Sequence, residues 1–178
     1  MKKPEFCAHS IERKRSYILQ ELPAPLARTD EHWQIFDDYT AWPEFRLRQI
    51  RIPQTKEWYR VKETREALNI ENGITEEFSR ELITDESSGA GMHPELEIRK
   101  NRYFFEYDGR EISIEIYLGA LTGLVLTQAK FESDVEMANF PMPDFALAEV
   151  TGSEFFLSEN LVKANFDDVK REFSKLKD

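Results

Sequence analysis

Residues Glu111 to Leu118 read E-I-S-I-E-I-Y-L, with an apolar side chain at every second position. In an extended chain successive side chains point to opposite faces, so the isoleucines fall on one face and the two glutamates on the other. This alternation predicts a β-strand with one buried face and one polar face.

Strand-like segments lie on both sides of this stretch. Asp108-Gly109 is a typical hairpin turn and joins it to a segment at 97–107 that is rich in aromatic residues. A further strand is predicted at 124–131. Upstream, strands are predicted at 9–19, 33–39, 45–52 and 57–64, while 74–83 fits a strand or a helix. Many short strands with little helix between them predict an antiparallel sheet closed into a barrel.

The sequence changes character towards its C-terminal end. Apolar side chains recur at helical spacing between Phe166 and Leu176, and Asn165 is a suitable N-cap residue. An amphipathic helix is therefore predicted there, packed outside the barrel or closing one end of it. The polar stretch 85–95 is predicted to be a surface loop, with a lid over the barrel as the alternative.

The composition argues against some classes of partner. With 34 acidic and 24 basic residues the formal net charge is −10, which is unfavourable for binding nucleic acid or an anionic membrane. Cys7 is the single cysteine, so no internal disulfide can form, and no run of about 20 apolar residues is present. We predict a cytoplasmic protein with one domain over residues 1–178, and we leave the oligomeric state open.

Charged residues occur two apart within several predicted strands, so that each pair shares one face. Such faces normally lie in solvent. In the segment 45–52, however, Phe45 and Leu47 lie opposite the arginines, and a barrel with covered outer walls would turn the charges inward. Periodicity alone leaves both arrangements open. The pairs are Glu12 with Lys14, Arg46 with Arg48, Arg60 with Lys62, and Lys100 with Arg102.

The order of several short motifs is more specific than any one of them. These motifs are Ser10-Ile11-Glu12-Arg13-Lys14, Arg46-x-Arg48, Lys62, Lys100-x-Arg102, Glu115, Gln128-Ala129-Lys130 and Glu149-Val150-Thr151. Over about residues 9–164 this order resembles the CYTH, or triphosphate tunnel, family, whose corresponding motifs include Glu-x-Glu-x-Lys, Arg-x-Arg, Lys-x-Arg, a late Glu-x-Glu and a closing Glu-Val-Thr. Glu77 is a weaker match to an acidic strand of the family, and Glu115 stands where an aspartate is usual.

The resemblance implies an α+β fold in which an eight-stranded antiparallel barrel forms a tunnel, with helices packed outside and a C-terminal helix. Members of this family typically hydrolyse inorganic or organic triphosphates, and some make cyclic AMP. Inward arginines and lysines hold phosphate oxygens, and inward carboxylates hold Mg²⁺ or Mn²⁺, in agreement with the ligand preferences of both groups.

Carried over residue by residue, the resemblance assigns three roles. The implied catalytic residues are Glu12, Lys14 and Glu115. The implied phosphate-binding residues are Arg46, Arg48, Arg60, Lys62, Lys100, Arg102 and Lys130. The implied metal ligands are Glu12, Glu77, Glu115 and Glu132.

Three expected carboxylates are missing, because Ser10, Gln128 and Lys130 stand where the family has glutamates. An ammonium group repels a divalent cation, so the predicted Mg²⁺ or Mn²⁺ site is weakened. The expected lumen then holds eight cations and four carboxylates, an excess of four positive charges that a bound anion would neutralise. We therefore predict a tunnel that binds a triphosphate or polyphosphate anion, with metal-dependent hydrolysis weakened or lost.

Two alternatives remain open at this point. The first is an active Mg²⁺- or Mn²⁺-dependent triphosphatase with a shifted metal site built from Glu12, Glu115 and Glu132. The second is a non-catalytic protein-interaction module that uses the acidic outer surface of the barrel. The sequence leaves the identity of the triphosphate open, because inorganic and organic triphosphates share the same charged chain.

Overall fold

The computed structural model describes residues 1–84 and 95–176. The loop predicted at 85–95 therefore lies outside the described residues except for Glu95, which is exposed. The strands are β1 (His9–Leu19), β2 (His32–Asp38), β3 (Arg46–Ile52), β4 (Glu57–Ile70), β5 (Ile74–Leu82), β6 (Glu97–Tyr107), β7 (Arg110–Tyr117), β8 (Val125–Phe131) and β9 (Ala146–Glu149). The helices are α1 (Asp134–Asn139), α2 (Ser158–Leu161) and α3 (Phe166–Lys175), with single 3₁₀ turns at Gly119–Leu121 and Glu154–Phe156.

Eight of these strands close into an antiparallel barrel, as predicted. Around the ring the order is β1, β5, β4, β3, β2, β6, β7 and β8, and β8 pairs with β1 again. Closure depends on β1, whose first half pairs with β5 and whose second half pairs with β8. The extra strand β9 pairs with the end of β1, next to β5 along the same edge. In this ring of eight, β4 and β7 are four places apart and so face each other across the tunnel.

The alternation of side chains identified seven of the eight barrel strands, each starting within one residue of its predicted position. The ambiguous segment 74–83 is a strand, and it pairs with a part of β4 that extends beyond the predicted end at Thr64 to Ile70. The short elements α1, α2 and β9 were not predicted. Segments of four to six residues have too little periodicity to be recognised and are stable only through tertiary contacts.

The polarity of β7 is inverted relative to an ordinary barrel wall, because its apolar face points outward. Ile112, Ile114 and Ile116 are each at most 4% exposed, since the segments that connect the strands cover them. Phe140 packs over Ile112, and Phe145 packs over Ile114 and Ile116. The opposite, polar face of β7 therefore faces the interior of the barrel.

The C-terminal helix packs against the outside of the barrel. Val169 of α3 joins a core with Leu121, Leu124 and Leu161. The ring of Phe166 lies so close to Gly123 that a β-carbon there would come within 2.6 Å of it, and the φ angle of +111° at Gly123 also favours glycine. Asn165 caps α3 as predicted, in a capping box with Asp168.

One end of the tunnel is closed by α2 and the 3₁₀ turn before it, and not by α3. Phe156, Leu157, Ser158 and Glu159 line the inner cavity, whereas residues of α3 do not. Of the two placements that the sequence left open for the C-terminal helix, the structure has the outer one. No helix within residues 1–84 and 95–176 is long and apolar enough to cross a membrane.

We expect Leu126→Ala to destabilise the fold by about 2–5 kcal/mol, because Leu126 of β8 is 1% exposed and its truncation leaves a cavity. Leu147→Ala is the matched control, since Leu147 of β9 is 47% exposed and its loss should cost no more than about 0.5 kcal/mol. Urea denaturation of both variants measures the difference. Equal costs would contradict the core described here.

Candidate functional site: a charged tunnel

The interior of the barrel contains a cavity of about 70 Å³ that is lined by basic side chains from six strands. Residues that pair directly across two strands have side chains on the same face, so the register identifies which residues point inward. Arg102 on β6 pairs with Glu115 on β7, and Arg48 on β3 pairs with Val61 on β4. The lining cations are Lys14 (β1), Arg46 and Arg48 (β3), Arg65 (β4), Arg80 (β5), Lys100 and Arg102 (β6), and Lys130 (β8).

The structure brings together seven of the residues that the sequence nominated. Their side chains line one enclosed cavity, which is the arrangement that the inward interpretation of the charged pairs requires. The seven are Glu12, Lys14, Arg46, Arg48, Lys100, Arg102 and Lys130. Glu115 is also inside the barrel, but it is fully buried behind Lys100 and Arg102 and does not line the cavity.

Four nominated residues do not reach the tunnel, and their expected position is corrected here. Arg60 and Lys62 lie on the opposite face of β4 from Glu63, and the Lys62 ammonium stands 4.7 Å from the centre of the Phe45 ring. The inward face of β4 instead carries Val61, Glu63 and Arg65. Both faces of this strand carry charge, so alternation could not indicate which face is internal.

The other two corrections concern acidic residues. Glu77 is exposed, whereas its neighbour Glu76 is 4% exposed and lines the cavity. A shift of one residue along a strand moves a side chain to the other face, so the nominated glutamate was one position off. Glu132 follows the last residue of β8 and is exposed outside the cavity.

Three buried carboxylates hold the lining cations from behind. Asp37 accepts two hydrogen bonds from Arg48, at 2.6 and 2.7 Å. Glu63 accepts two hydrogen bonds from Arg46, at 2.6 and 3.1 Å, and one from Arg80 at 2.6 Å. All three carboxylates are at most 2% exposed, and such charge-assisted, partly bidentate contacts fix the direction in which each guanidinium points.

The third buried carboxylate, Glu115, accepts from the Lys100 ammonium at 2.8 Å and from Arg102 Nε at 2.9 Å. Burial alone would raise the pKa of Glu115, but the attraction of these two cations outweighs it and lowers this pKa below its ordinary value. Burial also disfavours the Lys100 ammonium, and because Glu115 offsets this only in part, the pKa of Lys100 is lowered to about 8.

A second group of charges faces the cavity directly. In the strand register, Lys14 of β1 lies directly opposite Lys130 of β8, and Glu12 of β1 lies directly opposite Glu76 of β5. These like charges are neutralised crosswise, with Lys14 Nζ 2.6 Å from Glu76 Oε2 and Lys130 Nζ 3.0 Å from Glu12 Oε2. Arg80 adds a 2.6 Å contact to Glu12. The quartet is therefore already ion-paired without any ligand.

The closed end of the tunnel contributes one more ion pair. Arg65 Nη2 lies 2.7 Å from Glu159 of α2, and its guanidinium carbon is 4.8 Å from the centre of the Trp42 ring. Nearby, the Tyr39 hydroxyl accepts from Arg46 at 2.7 Å. The Arg65–Glu159 ion pair thus ties α2 to β4 across the end of the barrel.

The charge balance of the lumen is less positive than the sequence suggested. Within the described part of the chain, eight cations line the tunnel and six carboxylates contact them, which leaves two positive charges in excess where four were expected. Much of the expected repulsion is therefore removed by the protein itself. The six carboxylates are Glu12, Asp37, Glu63, Glu76, Glu115 and Glu159.

Six of the residues at this site were missed in the sequence, and two features of the sequence could have indicated three of them. Asp37 interrupts an otherwise apolar face that carries Trp33 and Ile35, and a lone acid in such a face indicates an internal ion pair. Glu76 and Arg80 share one face of a segment whose phase was unresolved. The residues missed are Asp37, Glu63, Arg65, Glu76, Arg80 and Glu159.

Comparison with known proteins gives a consistent result. No family model matches the chain. A curated inorganic triphosphatase from Acetivibrio thermocellus is 38% identical over 73 residues, which are 41% of this chain and 46% of that protein. The match thus spans about half the length of this relative. Two crystal structures of the protein NE1496, one of them described as an inorganic triphosphatase, superpose with TM-scores of 0.58 and 0.55.

Both superpositions cover 85% of this chain and at least 93% of NE1496, at 18% sequence identity. At that identity the likeness shows the shared fold. The chain therefore shares the fold of a protein that is described as an inorganic triphosphatase. The Arg46-x-Arg48 and Lys100-x-Arg102 motifs that resemble those of CYTH proteins lie on β3 and β6 and contribute four of the lining cations.

The carboxylates of the tunnel, paired as they are with lysines and arginines, are not arranged to bind a divalent metal. Among residues 1–84 and 95–176, no three Asp, Glu, His or Cys side chains are grouped so that they could share one ion. The four nominated metal ligands are therefore not assembled, and neither is the shifted set with Glu132. Glu12 and Glu76 both face the cavity, but each is bound by a lysine and an arginine, whereas Mg²⁺ and Mn²⁺ need several free oxygen ligands.

We expect Glu115→Gln to destabilise the protein by about 3–5 kcal/mol, because it leaves the buried Lys100 and Arg102 without their counter-charge. The matched control is Glu172→Gln, which breaks the pair with Lys175 on the surface of α3 and should cost about 0–1 kcal/mol. Urea denaturation at pH 7 compares the two. A Glu115→Gln variant as stable as the control would show that the buried ion pairs do not support the fold.

Proposed function

We propose that the tunnel binds a triphosphate or longer polyphosphate anion between its lumenal cations, and that metal-dependent hydrolysis is weakened or lost. The observation that carries this proposal is the convergence of eight cations from six strands on one enclosed cavity. Phosphate oxygens are bound well by guanidinium groups, which offer two parallel donors, and by ammonium groups as point charges. A cytoplasmic location is part of the proposal.

Binding would proceed by exchange of ion-pair partners. Glu12 and Glu76 neutralise Lys14, Lys130 and Arg80 in the free protein, and a polyphosphate would replace these carboxylates as the counter-charge. The buried carboxylates would stay in place and keep the remaining cations oriented towards the ligand. Most of the lining cations have side chains that are only 3–18% exposed, so a phosphate contact is stronger there than on the surface.

The relatives support the class of ligand. The curated relative and NE1496 are described as inorganic triphosphatases, and the CYTH resemblance extends over most of the chain. The loss of metal chemistry is supported by the lumen itself, where Lys130 and Gln128 face the cavity and protein cations bind the available carboxylates.

An active Mg²⁺- or Mn²⁺-dependent triphosphatase is the second candidate. The observation in its favour is that Glu12 and Glu76 are direct partners across β1 and β5 and both face the cavity. Release of phosphate from tripolyphosphate that depends on Mg²⁺ or Mn²⁺, and that is abolished in Glu12→Ala, would favour this candidate over binding alone.

We expect tripolyphosphate to raise the unfolding midpoint in the presence of EDTA, because a ligand that binds only the folded state stabilises it by mass action. At a concentration of 100 times the Kd the gain is about 2.7 kcal/mol. Added Mg²⁺ or Mn²⁺ should not increase the shift. The absence of any shift with tripolyphosphate, ATP and longer polyphosphate would overturn the proposed function.

The same measurement separates the lumen from the surface. Lys14→Gln should weaken tripolyphosphate binding by about tenfold or more, since a hydrogen bond to a charged group contributes roughly 1.5–3 kcal/mol. Lys170→Gln is the matched control, because this lysine of α3 is exposed to solvent and remote from the cavity. Equal losses in both variants would indicate nonspecific attraction.

We also expect the affinity for tripolyphosphate to depend on the protonation of Lys100. The pKa of Lys100 is about 8, so the ammonium is present below that pH and is lost as the pH rises through it. A bound polyanion favours the charged form, and binding should therefore weaken above pH 8. Calorimetry between pH 6.5 and 9.5 measures the Kd.

Lys100→Arg is the control for this titration, because arginine stays charged throughout the range. The ratio of the two affinities removes the titration of the ligand itself. Above pH 8 the affinity of the variant should exceed that of the unmodified protein by a growing factor. The unfolding midpoint of the variant first shows that it is folded. Parallel curves for the two proteins would contradict the role given to Lys100.

A further inference from the structure

The first six residues cross the end of the tunnel that lies opposite α2. We call residues 1–6 the N-terminal strap. Its backbone forms no helix or strand, yet ion pairs, a hydrogen bond and ring contacts attach it to the rim of the barrel. The end it covers is marked by Trp33, Phe104 and Glu111, while α2 covers the end near Tyr39.

The strap is attached to two opposite walls. Lys2 forms an ion pair with Glu111 of β7, and its carbonyl accepts from Trp33 Nε1 at 2.9 Å. Lys3 Nζ lies 2.8 Å from Glu57 of β4. Because β4 and β7 face each other across the ring of eight strands, a segment tied to both must run across the mouth of the tunnel.

A space of about 690 Å³ lies beneath the strap, and we call it the entrance chamber. All six strap residues line it. It is continuous with the inner cavity, because both are lined by the same four cations, Arg48, Arg80, Arg102 and Lys130. A ligand that reaches these cations from solvent on this side must therefore pass the strap.

The two closures differ in how firmly they are held. The α2 closure has Leu161 fully buried and Phe156 8% exposed, both within a hydrophobic core. No strap residue is buried: Phe6 is partly exposed where it packs against Tyr59 and the cluster around Trp33. The side chains of the two ion pairs of the strap are 36–57% exposed, and exposed pairs are weak and screened by salt. The strap end is therefore the end that opens more easily.

We propose that the N-terminal strap is a gate over the tunnel, latched by the Lys2–Glu111 and Lys3–Glu57 ion pairs, that opens to admit a polyanion and closes behind it. The admission of a polyanion rests on the proposed function. The gate itself does not, because its opening changes access to the entrance chamber with or without a ligand.

The first experiment measures access without a ligand. Ser113 faces the entrance chamber, and Ser113→Cys in a Cys7→Ser background places a single thiol beneath the strap. Its rate of reaction with an uncharged maleimide should rise several-fold when Lys2→Ala and Lys3→Ala open the latch, and also in 1 M salt. Lys170→Cys on α3 is the control and should not respond. Equal rates at Ser113→Cys with and without the latch would overturn the proposal.

The second experiment breaks the same latch from its other side. Glu57→Gln with Glu111→Gln removes two negative charges, whereas Lys2→Ala with Lys3→Ala removes two positive ones. A gate predicts that both double variants bind and release tripolyphosphate several-fold faster in stopped flow, with the Kd changed by less than about threefold. If simple charge attraction controlled entry, the two association rates would change in opposite directions, and the gate would be refuted.

The outcomes also separate the gate from the proposed function. If no variant binds tripolyphosphate but the thiol beneath the strap becomes more reactive, the gate stands and the proposed function fails. If tripolyphosphate binds with the same rates in all variants and the thiol does not respond, the gate fails and the proposed function stands.

Discussion

The charged lumen depends on carboxylates that are buried inside the barrel wall, where each accepts hydrogen bonds from one or two basic side chains. Asp37, Glu63 and Glu115 are almost inaccessible to water, and a buried charge is tolerated only when it is paired and hydrogen-bonded. Because their partners project further into the lumen, the same contacts that neutralise the acids also orient the bases. A cavity rich in like charge can thus exist in a stable fold, before any ligand is present.

This interior requires an outer surface that is partly apolar. On β7 the isoleucines face outward, and the connecting segments supply Phe140 and Phe145 to cover them. The hydrophobic core therefore lies mainly between the barrel and its covering segments and at the α2 end. A smaller apolar cluster with Trp33 and Ile50 lies inside the barrel at the strap end, and the lumen between the two ends is charged. The two closures of the tunnel differ in burial: the α2 end is closed by a hydrophobic core, whereas the strap combines exposed ion pairs with the partly buried Phe6.

The lumen combines features of a phosphate-binding tunnel with a charge balance of its own. Lys130 forms an ion pair with Glu12, and Gln128 lies beside Lys130 in the cavity wall. The Lys130 ammonium therefore occupies the place beside Glu12 that a metal ion would need. The proposed function rests on that substitution: a tunnel whose positive charge is fixed by the chain would hold an anion without help from a divalent ion. In the proposed gate, the strap would control how the anion reaches it.

The sequence by itself determined seven of the eight barrel strands and the paired charges, because alternation is a local property and needs no neighbour to be seen. It also nominated Arg46, Arg48, Lys100 and Arg102 for the lumen. It could not show which face of β4 and β5 points inward, since pairing with other strands decides this. Glu77, Arg60 and Lys62 were therefore nominated where Glu76 and Glu63 point inward. Only the tertiary structure decided which carboxylates lie behind the cations and where the N-terminal segment runs, because contacts between residues far apart in the chain leave no periodic trace in it.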